Sequence, residues 1–394
     1  MFELEEVDAT ADEASDVTII KVVGVGGAGG NAVEHMIREG VGGVEFICCN
    51  TDAQALKKSS ATVKLQLGPG LGAGGKPEKA RDLALAERER IAEALAGAHM
   101  VFITAGMGGG TGTGAGPVIA EVARELGILT VAVVTKPFEY EGKRKRLAED
   151  GVTAMAQYVD SLIVILNEKL EEVLGDEVSM LDAFKAADNV LCNAVGGIAE
   201  IINVPGLVNV DFEDVRTVMG EMGKAMMGSA AASGVDRARI AAEEAVASPL
   251  LEGIELSGAR GVLVNITASS ELGLKEYKAV MNTIRQYTAA EATVICGAVF
   301  DDAMEDRLRV TVVATGLGAT AAKARKPEIK VVETVGLRTG TDNLQAYDMT
   351  MGQVDLSSVA SSGRGMPRNT QAEAMAASGV DKYDIPAFLR RQSD

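Results

Sequence analysis

Residues 106–114, Gly-Met-Gly-Gly-Gly-Thr-Gly-Thr-Gly, restrict the fold more than any other stretch of this chain. They follow an apolar run at 100–104 that reads as a short buried strand, and they precede a helical pattern beginning near Pro117. Five of the last seven residues are glycine. A chain turning from strand to helix with so few Cβ atoms can aim several backbone N–H groups at one point, and Thr111 and Thr113 add hydroxyls. A turn that only changes direction rarely needs that many glycines, so the run reads as a cradle for a di- or triphosphate.

The surrounding pattern gives the cradle a frame. Apolar strands at 19–25, 44–49, 100–104, 129–134 and 161–166 alternate with helical stretches at 31–39, 77–95 and 117–126. That order predicts a doubly wound parallel sheet covered on both faces. Residues 179–202 carry apolar positions at helical spacing, enough for a long helix linking two domains. Strand-like runs at 225–232, 261–268, 292–300 and 307–315, with helices near 236–247 and 274–287, predict a second, smaller α/β domain. After Gly316 the period is lost. The expected organisation is a disordered acidic N-terminus (1–17), a nucleotide-binding domain (18–178), a central helix (179–202), the second domain (203–317), a disordered linker (318–380) and a short tail (381–394). A length of 394 residues suits two domains.

Charge and cysteine usage exclude several classes. The 38 basic and 56 acidic residues give a net charge of −18, which disfavours sequence-independent contact with nucleic acid or anionic lipid. Cys48, Cys49, Cys192 and Cys296 contain no C-x-x-C pair, and His35 and His99 are the only histidines, so no metal site is expected. The N-terminus is acidic where a signal peptide is basic, and no 18 apolar residues run together. The expectation is a cytoplasmic protein in a reducing compartment, with no direct membrane insertion.

Two further glycine loops leave alternatives open. Gly24-Val-Gly26-Gly-Ala-Gly29 follows the first strand and opens a helix, so it can present N–H groups to a phosphate. Taken alone it also fits a dinucleotide fingerprint, with Asp52 as the ribose-binding acid of an oxidoreductase. Gly70 to Lys76 matches a P-loop until Pro77 takes the Ser/Thr position, which removes the hydroxyl that would hold magnesium. A second phosphate cradle at 106–114 argues against the dinucleotide reading, which has no use for it.

The 106–114 run, together with IKVVGVGGAGGNAV at 20–33, NTD at 50–52, GAGG at 72–75, PFEYEG at 137–142, LDAFKAADNVL at 181–191 and NVDFEDVRTVM at 209–219, resembles the tubulin/FtsZ family of GTPases. The likeness spans about 18–317 and the extreme C-terminus. It implies a GTP-binding first domain and a bacterial cell-division GTPase that acts at the midcell division ring. Gly26, Gly27, Ala28, Gly29, Gly30, Asn31, Ala73, Gly74, Gly108, Gly109, Gly110, Thr111, Gly112 and Thr113 would then hold the nucleotide. Glu141 would contact the ribose, Phe184 would pack on guanine, and Asp188 would accept from its N1–H and N2–H donors. The family places an arginine four residues after that glutamate. Here Lys145 stands there, with Arg144 and Arg146 beside it.

By the same resemblance Asp211 and Asp214, with Asn209, enter the nucleotide pocket of the next subunit and polarise the attacking water. The bare sequence reads Asp211 as a helix N-cap. Assembly would be head to tail, hydrolysis would follow assembly, and GTP or GDP would be bound with Mg2+ held mainly by phosphates and water, leaving room for K+. A GTP-binding structural protein without catalysis is the remaining alternative. Residues 384–391, Asp-Ile-Pro-Ala-Phe-Leu-Arg-Arg, resemble the tail peptide that meets membrane anchors and regulatory division proteins. Ile385, Phe388 and Leu389 share one helical face there.

Overall fold

The apolar runs of the first half become parallel strands. The computed structural model describes residues 18–174, 179–203, 210–221, 223–248 and 258–317. β1 (Ile20–Val25), β2 (Val44–Asn50), β3 (Val63–Gln66), β4 (Met100–Gly106), β5 (Leu129–Lys136) and β6 (Ser161–Leu166) lie in the order β3-β2-β1-β4-β5-β6. Every neighbouring pair is parallel. From β1 the chain winds one way to β3, and from β4 the other way to β6, so the order reverses between β1 and β4. Ligands of such sheets bind at that reversal, beyond the carboxyl ends of the strands.

Helices fill the crossovers: α1 (Gly26–Arg38), α2 (Ala53–Lys58), α3 (Pro77–Ala86), α4 (Arg88–Leu95), α5 (Thr111–Glu125), α6 (Lys143–Met155) and α7 (Asn167–Leu174). The stretch expected as one helix over 77–95 is two, parted at Glu87. Both glycine-rich helices begin earlier than sequence rules place them. α1 starts at Gly26 and not at Asn31, and α5 starts six residues before Pro117. Packing is the reason. A Cβ on Gly114 would stand 2.0 Å from the Pro77 carbonyl oxygen, and one on Gly29 would stand 2.3 Å from that of Thr104. Glycine there lets helix backbone lie directly on its neighbours, and that contact outweighs the preference of proline for a first turn.

The long helix α8 (Met180–Asn203) runs 24 residues as expected, and its Leu191, Val195 and Ile198 enter the core over one face of the parallel strands. α9 (Phe212–Met219) then leads to β7 (Gly223–Ser233), α10 (Arg237–Val246), β8 (Gly261–Ala268), α11 (Leu274–Tyr287), β9 (Thr293–Phe300) and β10 (Arg307–Leu317). The two halves share one sheet. Ser161 to Ile163 of β6 pair in parallel with Gly223 to Ala225 of β7, and the order continues β7-β10-β8-β9. β10 is antiparallel to both its neighbours, and β8 and β9 are parallel. The second half has its own core, where Val264, Ile266, Val310 and Val312 meet the alanines of α10. Residues 1–17 and 318–394, with the expected linker and tail, lie outside the described residues.

Candidate functional site

The bare starts of α1 and α5 meet at the reversal between β1 and β4. Neither helix has a side-chain cap or an acidic residue in its first turn. Their first amides therefore keep free donors, and the helix dipoles place partial positive charge at the same spot. A cavity of about 260 Å³ opens there, lined by Gly27, Ala28, the loop Gly108 to Gly112, and Thr135, Pro137, Glu141, Arg144, Asn167 and Phe184. Cβ atoms at Gly27 and Gly109 would meet nothing within 4 Å, so these two backbones face open space. Gly108 has φ +96°, which a side chain would strain. The loop is pinned from behind, where the Gly108 amide donates to Thr113 Oγ1 at 2.9 Å. Thr113 thus spends its hydroxyl inside the loop, whereas Thr111 lines the cavity and bonds the Thr51 hydroxyl at 2.7 Å.

One wall of the cavity comes from the chain after β5. The Glu141 carboxylate accepts from Arg144 Nη1 at 2.6 Å and from the Phe138 amide at 3.2 Å. Lys145 turns away and pairs with Glu139 at 2.6 Å. Gly142, at φ +48°, sets the phase of α6, so Arg144 reaches the cavity while Lys145, at the position that sequence counting marks, does not. Phe138 stacks on Tyr140 at 5.3 Å and meets Phe184 edge-on at 6.1 Å. Phe184 remains half-exposed at the rim, a free ring face for a planar base.

One turn along α8, burial raises the Asp188 carboxyl to about 6, with His35 and Arg38 partly offsetting the rise. Sequence reasoning missed Asn167. It is buried in the cavity wall and its Oδ1 has no hydrogen-bond partner, so it is an acceptor awaiting a donor. Its position just past the end of β6 was the available signal.

Other expected contacts fall elsewhere. Gly26, Gly30 and Asn31 line an adjoining cavity of about 290 Å³ that shares Gly27. Asp52, also there, caps α2 by accepting from the Gln54 amide at 2.8 Å. Gly29 is packed against β4, Ala73 is buried beside Gly110, and Gly74 is exposed. Asp211 and Asp214 line none of these cavities. Asp211 caps α9, accepting from the Asp214 amide at 2.8 Å, and Asp214 is exposed with no charged partner among the described residues. Asn209 lies outside the described residues. Among the described residues, no cluster of His, Cys, Asp and Glu is placed for a metal ion and no helix is long and apolar enough to cross a membrane.

Known proteins share this sequence pattern and fold. Residues 19–175 match the Tubulin/FtsZ family, GTPase domain, and residues 223–318 match the FtsZ family, C-terminal domain. The chain is 53% identical over 400 residues to the cell division protein FtsZ of Pseudomonas aeruginosa, covering all of both proteins. It is 52% identical over 396 residues to that of Coxiella burnetii, covering 99% of each. A solved FtsZ dimer from M. jannaschii superposes with a TM-score of 0.73 at 42% identity, covering 77% of this chain and 89% of that one. CetZ2 from Haloferax volcanii shares the fold, with a TM-score of 0.64 at 20% identity over 77% of this chain and 94% of that one. The dinucleotide reading of Gly24 to Gly29 is thereby replaced: the chain belongs to the FtsZ family, the cell-division branch of the tubulin-like GTPases, and it binds and hydrolyses GTP.

Proposed function

We propose that this protein hydrolyses GTP between two copies of itself stacked head to tail. The phosphates rest on the starts of α1 and α5, Glu141 and Arg144 hold the ribose side, and guanine lies against Phe184 with its N1–H and one N2–H on Asp188. One observation carries the shared-site reading. Among the described residues, Glu141 is the only carboxylate lining the cavity and is already bonded to Arg144, while Asp214 stands exposed with no charged partner at the start of α9.

Phosphoryl transfer needs chiefly positioning and charge stabilisation, so a carboxylate that orients water suffices. Asp214 of one copy, with Asp211 and Asn209, supplies that group to the cavity of the next. Leu71, Tyr140 and Leu181 are exposed apolar side chains near the loops and helix that frame the cavity, which suits contact with another protein surface. A contact of this unlike-face kind repeats into filaments. The M. jannaschii relative was solved as a dimer.

The residues present suit a magnesium ion held by the phosphates and water, because among the described residues the wall offers it no free carboxylate. Mg2+, and K+ where it takes part, would offset phosphate charge. The working place is the cytoplasm at the midcell division ring, reached through anchor and regulatory proteins that bind 384–391.

Turnover per subunit should rise steeply above a threshold protein concentration and be nearly absent below it. Turnover per subunit that stays constant down to the lowest measurable concentration would count against the shared site.

A further inference from the structure

We propose that the buried hydroxyls of Ser161 and Thr315 are positioning groups for hydrolysis, fixing from the far end of α9 where Asp211 and Asp214 stand. The inference rests on the reading that those acids serve a neighbouring copy.

α9 spans eight residues, and a helix that short does not hold itself in water. Its last carbonyls have no partner within the helix. Two of them meet side-chain donors: Ser161 Oγ on β6 donates to the Met219 carbonyl at 2.6 Å, and Thr315 Oγ1 on β10 donates to the Val218 carbonyl at 2.7 Å. Both residues are wholly buried, so water cannot replace either hydroxyl. The space is shaped for them. A Cβ on Gly261 would stand 2.6 Å from Thr315 Oγ1, and glycine leaves that room.

The two donors come from the two halves of the sheet. β6 pairs with β5, and the end of β5 leads into Thr135 and Pro137 of the cavity wall. Ser161 therefore ties α9 to the frame of its own nucleotide site, and Thr315 ties it to the second half. Val215, Val218 and Met219 bury the inner face of α9, yet apolar contact is non-directional and tolerates small rotations. Hydrogen bonds to successive carbonyls are directional and oppose such rotation. Asp211 lies roughly 12 Å along the axis from Met219, at about 1.5 Å per residue, so a small tilt at the bonded end moves the carboxylates.

Thr315→Val keeps the shape and removes the donor. Its methyl needs roughly 3.3 Å from a carbonyl oxygen, so α9 must yield. Ser161→Ala removes the other donor without added bulk. In full-length protein assembled with GTP, each substitution is expected to lower turnover per sedimented subunit about tenfold or more, as misplaced catalytic groups do. GTP affinity and the sedimented fraction should stay at wild type, and Thr315→Ser should restore turnover. Turnover within about twofold of wild type in both variants overturns the proposal, as does a parallel loss of GTP affinity, which would assign the hydroxyls to the nucleotide half alone. Failure of Thr315→Ser to recover turnover, in a protein with wild-type melting, also overturns it. If Thr315→Val does not fold, Ser161→Ala decides. Asp214→Ala, measured alongside, tests the underlying reading separately, since wild-type turnover in that variant rejects the role of the acids whatever the hydroxyl variants do.

Discussion

The helix starts at the nucleotide cavity and the start of α9 are built in opposite ways. α1 and α5, at the nucleotide cavity, begin with no side-chain cap and no acid in the first turn. α9 begins with Asp211, Glu213 and Asp214, and α11 carries Glu276, whose carboxylate takes the Gly273 amide at 2.9 Å and pairs with the buried Arg237 at 2.7 Å. A helix start that already holds an acid has its donors and dipole satisfied from within. A bare start whose amides face open space is completed by an outside anion. The starts of α1 and α5 are thus suited to receive a polyphosphate and the start of α9 to present carboxylates. On the proposed reading, binding and chemistry are divided between them, and a second copy brings them together.

The largest expected effect tests that division directly. Asp214→Ala should lower GTP turnover about a hundredfold or more while GTP affinity stays within a few-fold, because the acid lies outside its own copy's cavity. Mixed with wild type, it should also lower the activity of shared polymers. Equilibrium binding and steady-state turnover on the same preparation separate the two quantities. A loss of GTP affinity would place Asp214 in the local site and erase the contrast between the halves.

A smaller effect sharpens what the glycines of the first half do. Gly114→Ala forces a Cβ against the Pro77 carbonyl, backbone on backbone, and should destabilise the protein by about 1–3 kcal/mol or more. Gly109→Ala meets no protein atom, so thermal unfolding of the nucleotide-free protein should barely change while GTP affinity falls. Equal destabilisation by both substitutions would mean that the loop is packed throughout and is not open to ligand.

This split among glycines was the part of the site least legible in the sequence. Periodicity marks buried side chains, and the strands at the centre of both halves were readable because Val, Ile and Leu repeat there. A glycine carries no such mark. Whether Gly114 or Gly109 faces protein depends on which backbone arrives opposite, and for Gly114 it is Pro77, distant in sequence. Four-residue β3 is too short to show a period, and α6 hides its apolar positions among lysines and arginines. The choice of Arg144 over Lys145 follows from the backbone at Gly142, which spacing from Glu141 does not reveal. Asp211 was legible as a cap because capping is local, and it caps. The start of α1 was not legible, because glycine packing sets it at Gly26, five residues before Asn31.

The smallest effect concerns α8, which serves both halves: Glu200 meets Asn265 and Arg309 of the second half, and Asp188 lies near His35 and Arg38 of α1. Burial holds Asp188 at about 6 against 3.8 when exposed. A raised folded-state value means that its stabilising contribution is full below the unfolded value and is lost as pH rises through about 6. Near neutral pH the nucleotide-free protein therefore bears a half-buried charge. Guanine reverses the sign, since its N1–H and N2–H donate to the ionised carboxylate and favour it. Affinity for the base should then grow as pH rises through that range. The phosphates titrate in the same window, but they are common to GTP and ATP, so the ratio of the two affinities isolates the base. That ratio should fall about tenfold between pH 7.5 and pH 5, a pKa shift of one unit corresponding to about 1.4 kcal/mol. Asp188→Asn should flatten the profile at a low ratio. A wild-type ratio that does not change with pH would show that Asp188 does not read the base and would leave α8 a structural link between the halves.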